Sequence, residues 1–402
     1  MNMQAVKFKE LVFIMLGFCL GQGSMFFAQT YLIYQGDIGL VGQAGITIGL
    51  FSLIYWFSDF GGVYLLSKYL SDNSNRFNYY LCVRLVSNFF LCLLMVVVGG
   101  SVEYLESYSF LFYLGGIVFL SGSCNFAGVF DYKKKNKFAG LLQAIPWVLA
   151  SVFLVFSGNP IEYMCLGYVL GVVLISFVQV LLCRKYIVGL LDSKGLSSGT
   201  YFKKVIGEMY SYNLSFLVTQ LFGRVVPIFV QASMGQAVAG TYIYAKNIIN
   251  MMSQFVAFAR RADFSSMYEL DKAKFCVVEL IFNQRLSFIV GFLGFSLLLL
   301  LSLILILIDF GYRDIIITLV YLDFVFLFYL VSSVFSQYMI VADMSFARGV
   351  VQTVFLLLGM IVIYFFVEDY GLEVIYFVEA ALYVMSGLVF WLLLIRERKE
   401  GI

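Results

Sequence analysis

Five ionisable side chains lie inside long apolar stretches of this sequence: Asp59, Arg84, Arg224, Lys246 and Asp323. A charge at bilayer depth is costly, so each is expected to face a partner of opposite charge or a hydrated cavity. A guanidinium or an ammonium in such a cavity binds anions, and a carboxylate there can pair with a cation or exchange a proton. The chain has no histidine, which excludes His-based triads, His-containing zinc motifs and histidine pH switches.

The elements that carry these charges are predicted to be transmembrane helices. Of the 402 residues, 62% are hydrophobic and 12% are charged, whereas a soluble domain has about 25% charged residues. Runs of about 20 mostly apolar residues predict spanning helices. The sequence thus predicts an all-α, polytopic membrane protein with twelve spans, at about 11–34, 43–66, 80–102, 109–130, 138–157, 161–182, 209–231, 238–259, 286–309, 315–341, 350–367 and 374–395.

Basic residues predict the orientation of these spans, because cytoplasmic loops are enriched in Lys and Arg. Of the 26 basic residues, 22 lie at the two ends of the chain and in alternate loops, including Lys133–Lys135, whereas the opposite loops hold only Arg313. Both termini are therefore predicted to be cytoplasmic. The loops on the other side are all short, which leaves no room for a folded extracytoplasmic domain.

A weak internal repeat divides the twelve spans into two sets of six. With an offset of 198 residues, Gly42 aligns with Gly240, Arg76 with Lys274 and Phe77 with Phe275. Each half has an even number of spans, so the repeat is parallel, with a pseudo-twofold axis along the membrane normal. We expect an N-terminal six-helix bundle over 1–192 and a C-terminal one over 193–402, although these few matches could also arise by chance.

Asp59 and Arg84 share one predicted level in the first half, near the cytoplasmic ends of their spans. We interpret them as an ion pair that stabilises the N-terminal bundle, in preference to substrate contact. Snorkelling to the interface is the alternative for Arg84.

Arg224, Lys246 and Asp323 share a level in the second half, about 10–12 Å below the outer surface at 1.5 Å of rise per residue. Asp323 can neutralise only one cation, so one positive charge is left to attract an anion. Snorkelling or local pairing remains the alternative. The spans 209–231 and 238–259, which carry Arg224 and Lys246, also carry neutral polar residues. These are predicted to line a cavity, or else to form helix–helix hydrogen bonds: Gln220, Tyr242, Asn247 and Asn250.

Two stretches resemble the bacterial O-antigen and polysaccharide flippases (Wzx-type) of the multidrug/oligosaccharidyl-lipid/polysaccharide exporter superfamily. They are "FSDFGGVYLLSKYLSDN" at 57–73 and "GRVVPIFVQASMGQAVAGTYIYAKNI" at 223–248. Arg224 stands where the family often has an acidic residue, and the Pro that often follows the span corresponding to 238–259 is missing. The resemblance implies two six-helix bundles in a MATE-like V with a central cavity.

The resemblance also implies an ion-coupled flippase without cofactor. Its substrate would be an undecaprenyl-diphosphate-linked oligosaccharide, an O-antigen or capsule repeat unit used in lipopolysaccharide or polysaccharide biosynthesis. The protein would move it from the cytoplasmic to the periplasmic leaflet of the bacterial inner membrane. Besides membrane lipids, a polysaccharide polymerase and a chain-length regulator are candidate partners.

Two other functions compete with this interpretation. A MATE-type drug/cation antiporter would share the fold, but its cavity should be acidic. A polysaccharide polymerase or ligase would need a large periplasmic loop with catalytic Arg or His, which this chain lacks. We therefore expect no enzyme activity. No metal-ligand cluster, ATP-binding loop or nucleic-acid-binding stripe occurs in the sequence.

Overall fold

The computed structural model of the chain describes residues 3–71, 76–101, 109–133, 140–191, 199–268, 282–308, 311–342 and 344–400. The described residues form α-helices joined by short connections and contain no strand, so the predicted all-α class is confirmed. The helices are α1 (Met3–Tyr34), α2 (Ile38–Ser58), α3 (Gly62–Ser71), α4 (Arg76–Ser101), α5 (Ser109–Gly122), α6 (Ala127–Tyr132), α7 (Ile145–Phe156), α8 (Pro160–Leu191), α9 (Gly199–Met234), α10 (Gln236–Tyr268), α11 (Arg285–Leu307), α12 (Arg313–Val341), α13 (Ser345–Tyr370) and α14 (Leu372–Glu400).

Eight described helical segments are long and apolar enough to cross a membrane, so the chain is a multi-pass membrane protein. A ninth predicted span, 138–157, coincides with the shorter apolar helix Gly140–Phe156. The predicted spans 11–34, 209–231 and 238–259 fall on α1, α9 and α10. These three are not among the eight.

Two predicted spans are broken helices. The span 43–66 becomes α2 and α3, separated by a turn at 59–61 in which Phe60 and Gly61 both have positive φ, 48° and 74°. Glycine accepts this conformation without cost, whereas for phenylalanine it is uncommon. The span 109–130 becomes α5 and α6, separated by residues 123–126. Because a helix end leaves carbonyl groups without intrahelical partners, each break needs donors from elsewhere.

The described chain divides into two compact units. The first comprises Met1–Gly36 and Ile46–Leu217, and the second comprises Asp37–Gly45 and Val218–Ile402. In the first unit α7 packs on α8, α4 on α5, and α3 on α6. In the second unit α12 packs on α14 and α10, and α10 on α11. The predicted division into 1–192 and 193–402 stays a prediction.

A close helix crossing in the second unit follows the predicted repeat. A Cβ added to Gly42 would lie 2.6 Å from the backbone oxygen of Gln236, and one added to Gly240 would lie 2.0 Å from that of Ile38. With the offset of 198, Gly42 corresponds to Gly240 and Ile38 to Gln236, so the two contacts are equivalent. Two equivalent contacts of this kind are expected when a twofold axis relates the beginning of α2 to the beginning of α10.

Candidate functional site

In the first unit, Asp59 and Arg84 form a buried ion pair. The Arg84 Nη2–Asp59 Oδ1 distance is 2.9 Å, and the side chains are 0% and 5% exposed. Asn125 Nδ2 also donates to Asp59 Oδ1, at 2.9 Å, and the Tyr80 hydroxyl donates to the Asp59 backbone carbonyl at 2.7 Å. The structure thus brings together the two charges that the sequence placed on one level.

Arg84 also satisfies the carbonyl groups released at the two helix breaks. It donates to Gly122 O, at the end of α5, at 2.5 Å and to Asn125 O, between α5 and α6, at 3.0 Å. Its Nε lies 3.4 Å from Ser58 O, at the end of α2. A cation at helix C-termini is favoured by the helix dipole as well as by hydrogen bonding. With five donors in a rigid fork, one arginine can serve several acceptors at once. A structural role for Arg84 is consistent with this geometry and stays a prediction.

A second charged cluster ties the beginning of α9 to α3 and α4 within the first unit. Glu208 accepts a hydrogen bond from the Tyr69 hydroxyl at 2.5 Å and pairs with Lys68 at 3.3 Å and Arg76 at 4.0 Å. Burial and the bond to Glu208 raise the pKa of Tyr69, so its hydroxyl keeps the proton that it donates. Lys68 is 44% exposed, which makes its pair with Glu208 a weak one.

In the second unit, Lys246 of α10 is paired with Glu379 of α14. Both side chains are largely buried, 11% and 2% exposed. Glu379 Oε1 also accepts a hydrogen bond from the Tyr383 hydroxyl at 3.2 Å, one turn further along α14, whereas Glu379 Oε2 has no hydrogen-bond partner in the described part of the chain. The carboxylate that neutralises Lys246 is therefore Glu379 and not Asp323.

Asp323 of α12 is fully buried, and neither of its carboxylate oxygens has a hydrogen-bond partner among the described residues. An ionised carboxylate in such surroundings is very unfavourable. Asp323 thus lacks, in the described part of the chain, the counter-charge that Glu379 has in Lys246.

Tyrosines pack around these charged groups. The Tyr376 hydroxyl donates to Thr318 Oγ1 at 3.1 Å, and the Tyr376 and Tyr321 rings are stacked 5.2 Å apart. The Tyr329 and Tyr383 rings meet edge to face at 5.4 Å. Tyr242, predicted to line a cavity, is 1% exposed. In this conformation tyrosines therefore join α12 to α14, and the ring of Tyr242 is not open to a ligand.

The other residues predicted to line the cavity have different surroundings. Arg224 on α9 and Asn247 on α10 are half-buried, and Asn250 on α10 is exposed. Gln220 lies on α9, but its side chain falls outside the described residues. The structure does not bring Arg224 and Asp323 together, because the contacts of Asp323 include no cation.

Sequence reasoning missed two charged residues of the second unit. Glu379 lies well inside the predicted span 374–395 and could have been found by the same search for charges that gave the other five. Arg260 was counted among the loop residues that follow the predicted span 238–259, but α10 continues to Tyr268 and Arg260 is only 9% exposed. Arg348 is half-buried as well, so the described buried and half-buried side chains of the second unit comprise four cations and two carboxylates and sum formally to two positive charges. The cations are Arg224, Lys246, Arg260 and Arg348, and the carboxylates are Asp323 and Glu379. Among the described residues there is no cluster of three acidic or cysteine side chains that could hold a metal ion.

No protein-family profile matches the chain, and no curated protein matches it by sequence. Solved structures match it over almost its whole length. A MATE protein in the straight conformation has a TM-score of 0.62 and 12% identity, covering 98% of this chain and 96% of that one. An outward-facing multidrug resistance MATE family transporter of the MOP superfamily has a TM-score of 0.57 and 12% identity, covering 98% and 96%. An inward-facing one has 0.54 and 13%, covering 100% and 96%. The chain therefore has the MATE fold.

Proposed function

We propose that this chain is a membrane transporter that works by alternating access. The observation that carries the proposal is the buried Lys246–Glu379 pair together with Asp323, which has no partner among the described residues, on helices of a MATE fold. Ionisable groups in a membrane interior are expensive and generally mark ion or substrate pathways. Similarity to both an outward-facing and an inward-facing structure supports a fold that adopts two states.

The substrate that we propose is an undecaprenyl-diphosphate-linked oligosaccharide, moved from the cytoplasmic to the periplasmic leaflet of a bacterial inner membrane. The stretches at 57–73 and 223–248 that resemble Wzx-type flippases support this class. The charge of the second unit supports it as well, since its described buried and half-buried side chains sum formally to two positive charges. Diphosphate and sugars cannot cross hydrocarbon without polar partners, whereas the polyprenyl tail can stay in lipid.

In the proposed mechanism, Arg224 and Lys246 hold the diphosphate. Lys246 is already bound by Glu379, so the substrate competes with Glu379 for this ammonium group. Asp323 takes up a proton or a cation, which changes the charge balance of the second unit and couples ion movement to the change between two states. The guanidinium fork of Arg224 matches phosphate oxygens better than an ammonium group does.

A MATE-type drug antiporter is the second candidate, because two of the similar structures are multidrug resistance transporters. Such a protein would bind cationic drugs, for which an acidic site is favourable. The described charges of the second unit do not provide a net negative charge. A direct comparison of the two substrate classes distinguishes the candidates.

The test uses purified protein in proteoliposomes with a fluorescent undecaprenyl-diphosphate-linked oligosaccharide in one assay and ethidium in another. We expect lipid flipping to decrease in the order wild type, Arg224→Lys, Arg224→Ala, and Asp323→Asn to alter its pH dependence. Lys203→Gln, which removes an exposed cation of α9, is the matched control and should flip normally. Equal flipping by Arg224→Ala and wild type would exclude the cationic-site mechanism. Ethidium transport without lipid flipping would identify a drug antiporter.

A further inference from the structure

The two helix breaks of the first unit lie side by side. A Cβ added to Gly122, the last residue of α5, would lie 1.6 Å from Ser58 Oγ, at the end of α2. Asn125 Nδ2 donates to Asp59 Oδ1 at 2.9 Å, which joins one break directly to the other. The short helices α3 and α6, which follow the two breaks, pack on each other. They therefore form one pair of half-helices, and each is joined to the preceding helix by a few non-helical residues.

These connections have the character of hinges. Hinges are a few residues at the ends of elements that absorb changes in φ and ψ. In the break at 59–61 the backbone already leaves the helical region, with a φ of 48° at Phe60 and of 74° at Gly61. Residues 123–126 of the second break are not helical either. Because the two breaks are adjacent, α3 and α6 can turn about them together.

The half-helices contribute to a buried apolar cluster of the first unit. Their members of this cluster are Leu65, Leu66, Tyr69 and Leu70 of α3 and Val129 and Phe130 of α6. The same cluster contains Cys183 of α8 and Val205 and Met209 of α9, which are 1%, 0% and 1% exposed. A movement of α3 and α6 that opens this cluster therefore brings water to the Cys183 thiol.

Charged contacts tie α3 to α9 beside this cluster. Glu208 of α9 accepts a hydrogen bond from the Tyr69 hydroxyl at 2.5 Å and pairs with Lys68 at 3.3 Å. Tyr69 is eight residues after Gly61, about 12 Å along α3, so the tie acts far from the hinge. The side chains of Glu208 and Lys68 are 18% and 44% exposed. Pairs that water reaches are weak, so this tie can be released at a modest cost.

We propose that α3 and α6 act as a gate that turns about the breaks at 59–61 and 123–126, and that Glu208 latches this gate closed. The latch lies at the end of the first unit that the distribution of basic residues predicts to be cytoplasmic, so the gate opens to that side. Release of Glu208 and rotation of the two half-helices open the apolar cluster. The gate belongs to the first unit alone and does not depend on the proposed substrate.

The test measures how fast a water-soluble maleimide modifies Cys183 in the purified protein with every other cysteine replaced by alanine. The matched protein keeps only Cys165, which lies on the same helix, is also 1% exposed and precedes Cys183 by 18 residues, about 27 Å. Each rate is divided by the rate for the same protein unfolded in denaturant. Modification of a buried thiol follows the population of the open state when closing is fast. We therefore expect Cys183 to be modified faster than Cys165.

Tyr69→Phe removes the hydroxyl group that donates to Glu208. We expect the rate at Cys183 to rise about tenfold or more, and the rate at Cys165 to stay within twofold. If Tyr69→Phe does not fold, Glu208→Ala takes its place and should have the same effect. Lys203→Gln, which removes an exposed cation of α9, should change neither rate. A rate at Cys183 within twofold of the parent protein would overturn the gate, as would an equal rise at Cys165, which indicates general unfolding.

Discussion

Replacing Arg84 with methionine tests whether the Asp59–Arg84 pair is structural. Methionine fills much of the arginine volume but leaves the Asp59 carboxylate buried without its cation, while the hydrogen bond from Asn125 remains. Removing one partner of a buried ion pair costs about 3–5 kcal/mol. Gly122 O and Asn125 O also lose their arginine donor, at about 1–3 kcal/mol each. Ser58 O keeps the Asn88 amide at 2.8 Å. The expected loss is therefore at least about 5 kcal/mol, the lower end of the whole stability of a typical protein.

The assay is the amount of monodisperse protein recovered from membranes, together with its unfolding temperature in detergent. Arg84→Met should be nearly absent, and Arg84→Met combined with Asp59→Asn should recover part of the yield because no buried charge is left unpaired. Lys68→Met is the matched control. Its pair with Glu208 is partly exposed, so the loss should stay below about 1 kcal/mol. An Arg84→Met protein with wild-type yield would refute the structural role, and a stable variant that fails to transport would assign the pair to function.

Two further predictions concern packing and orientation. Gly240→Ala places a methyl group 2.0 Å from the Ile38 carbonyl oxygen and should destabilise the protein by about 1–3 kcal/mol, whereas Gly207→Ala on α9 meets no atom within 4 Å and should be neutral or stabilising. Equal unfolding temperatures of these two variants would contradict the close crossing. Alkaline phosphatase fused after Ile402 should be inactive, and a fusion within 103–109 should be active. Activity of the fusion after Ile402 would rule out the predicted orientation with both termini cytoplasmic.

Much of the fold could be predicted from hydropathy, because spanning a membrane needs long apolar helices and leaves a strong pattern. The breaks at 59–61 and 123–126 could not be predicted in this way. One contains Asp59 and the other Ser123 and Asn125, but a polar residue alone does not mark a break, since Lys246 lies within the unbroken helix α10. What makes the breaks possible is Arg84, which supplies donors to carbonyl groups about 40 residues away in sequence. Sequence position alone does not indicate which carbonyls an arginine will reach.

The candidate site was predicted only in part. Charge inside apolar segments identified Lys246 and Asp323, because the cost of burying charge is visible in any sequence of this composition. Their partners were decided by helix packing: α14 brings Glu379 to Lys246 and leaves Asp323 without a partner among the described residues. The sequence by itself thus determined that the chain spans the membrane, where its charges lie along each helix, and which of them are costly. Only the tertiary structure decided which charges neutralise each other, because pairing depends on which helix faces meet and not on depth along one helix.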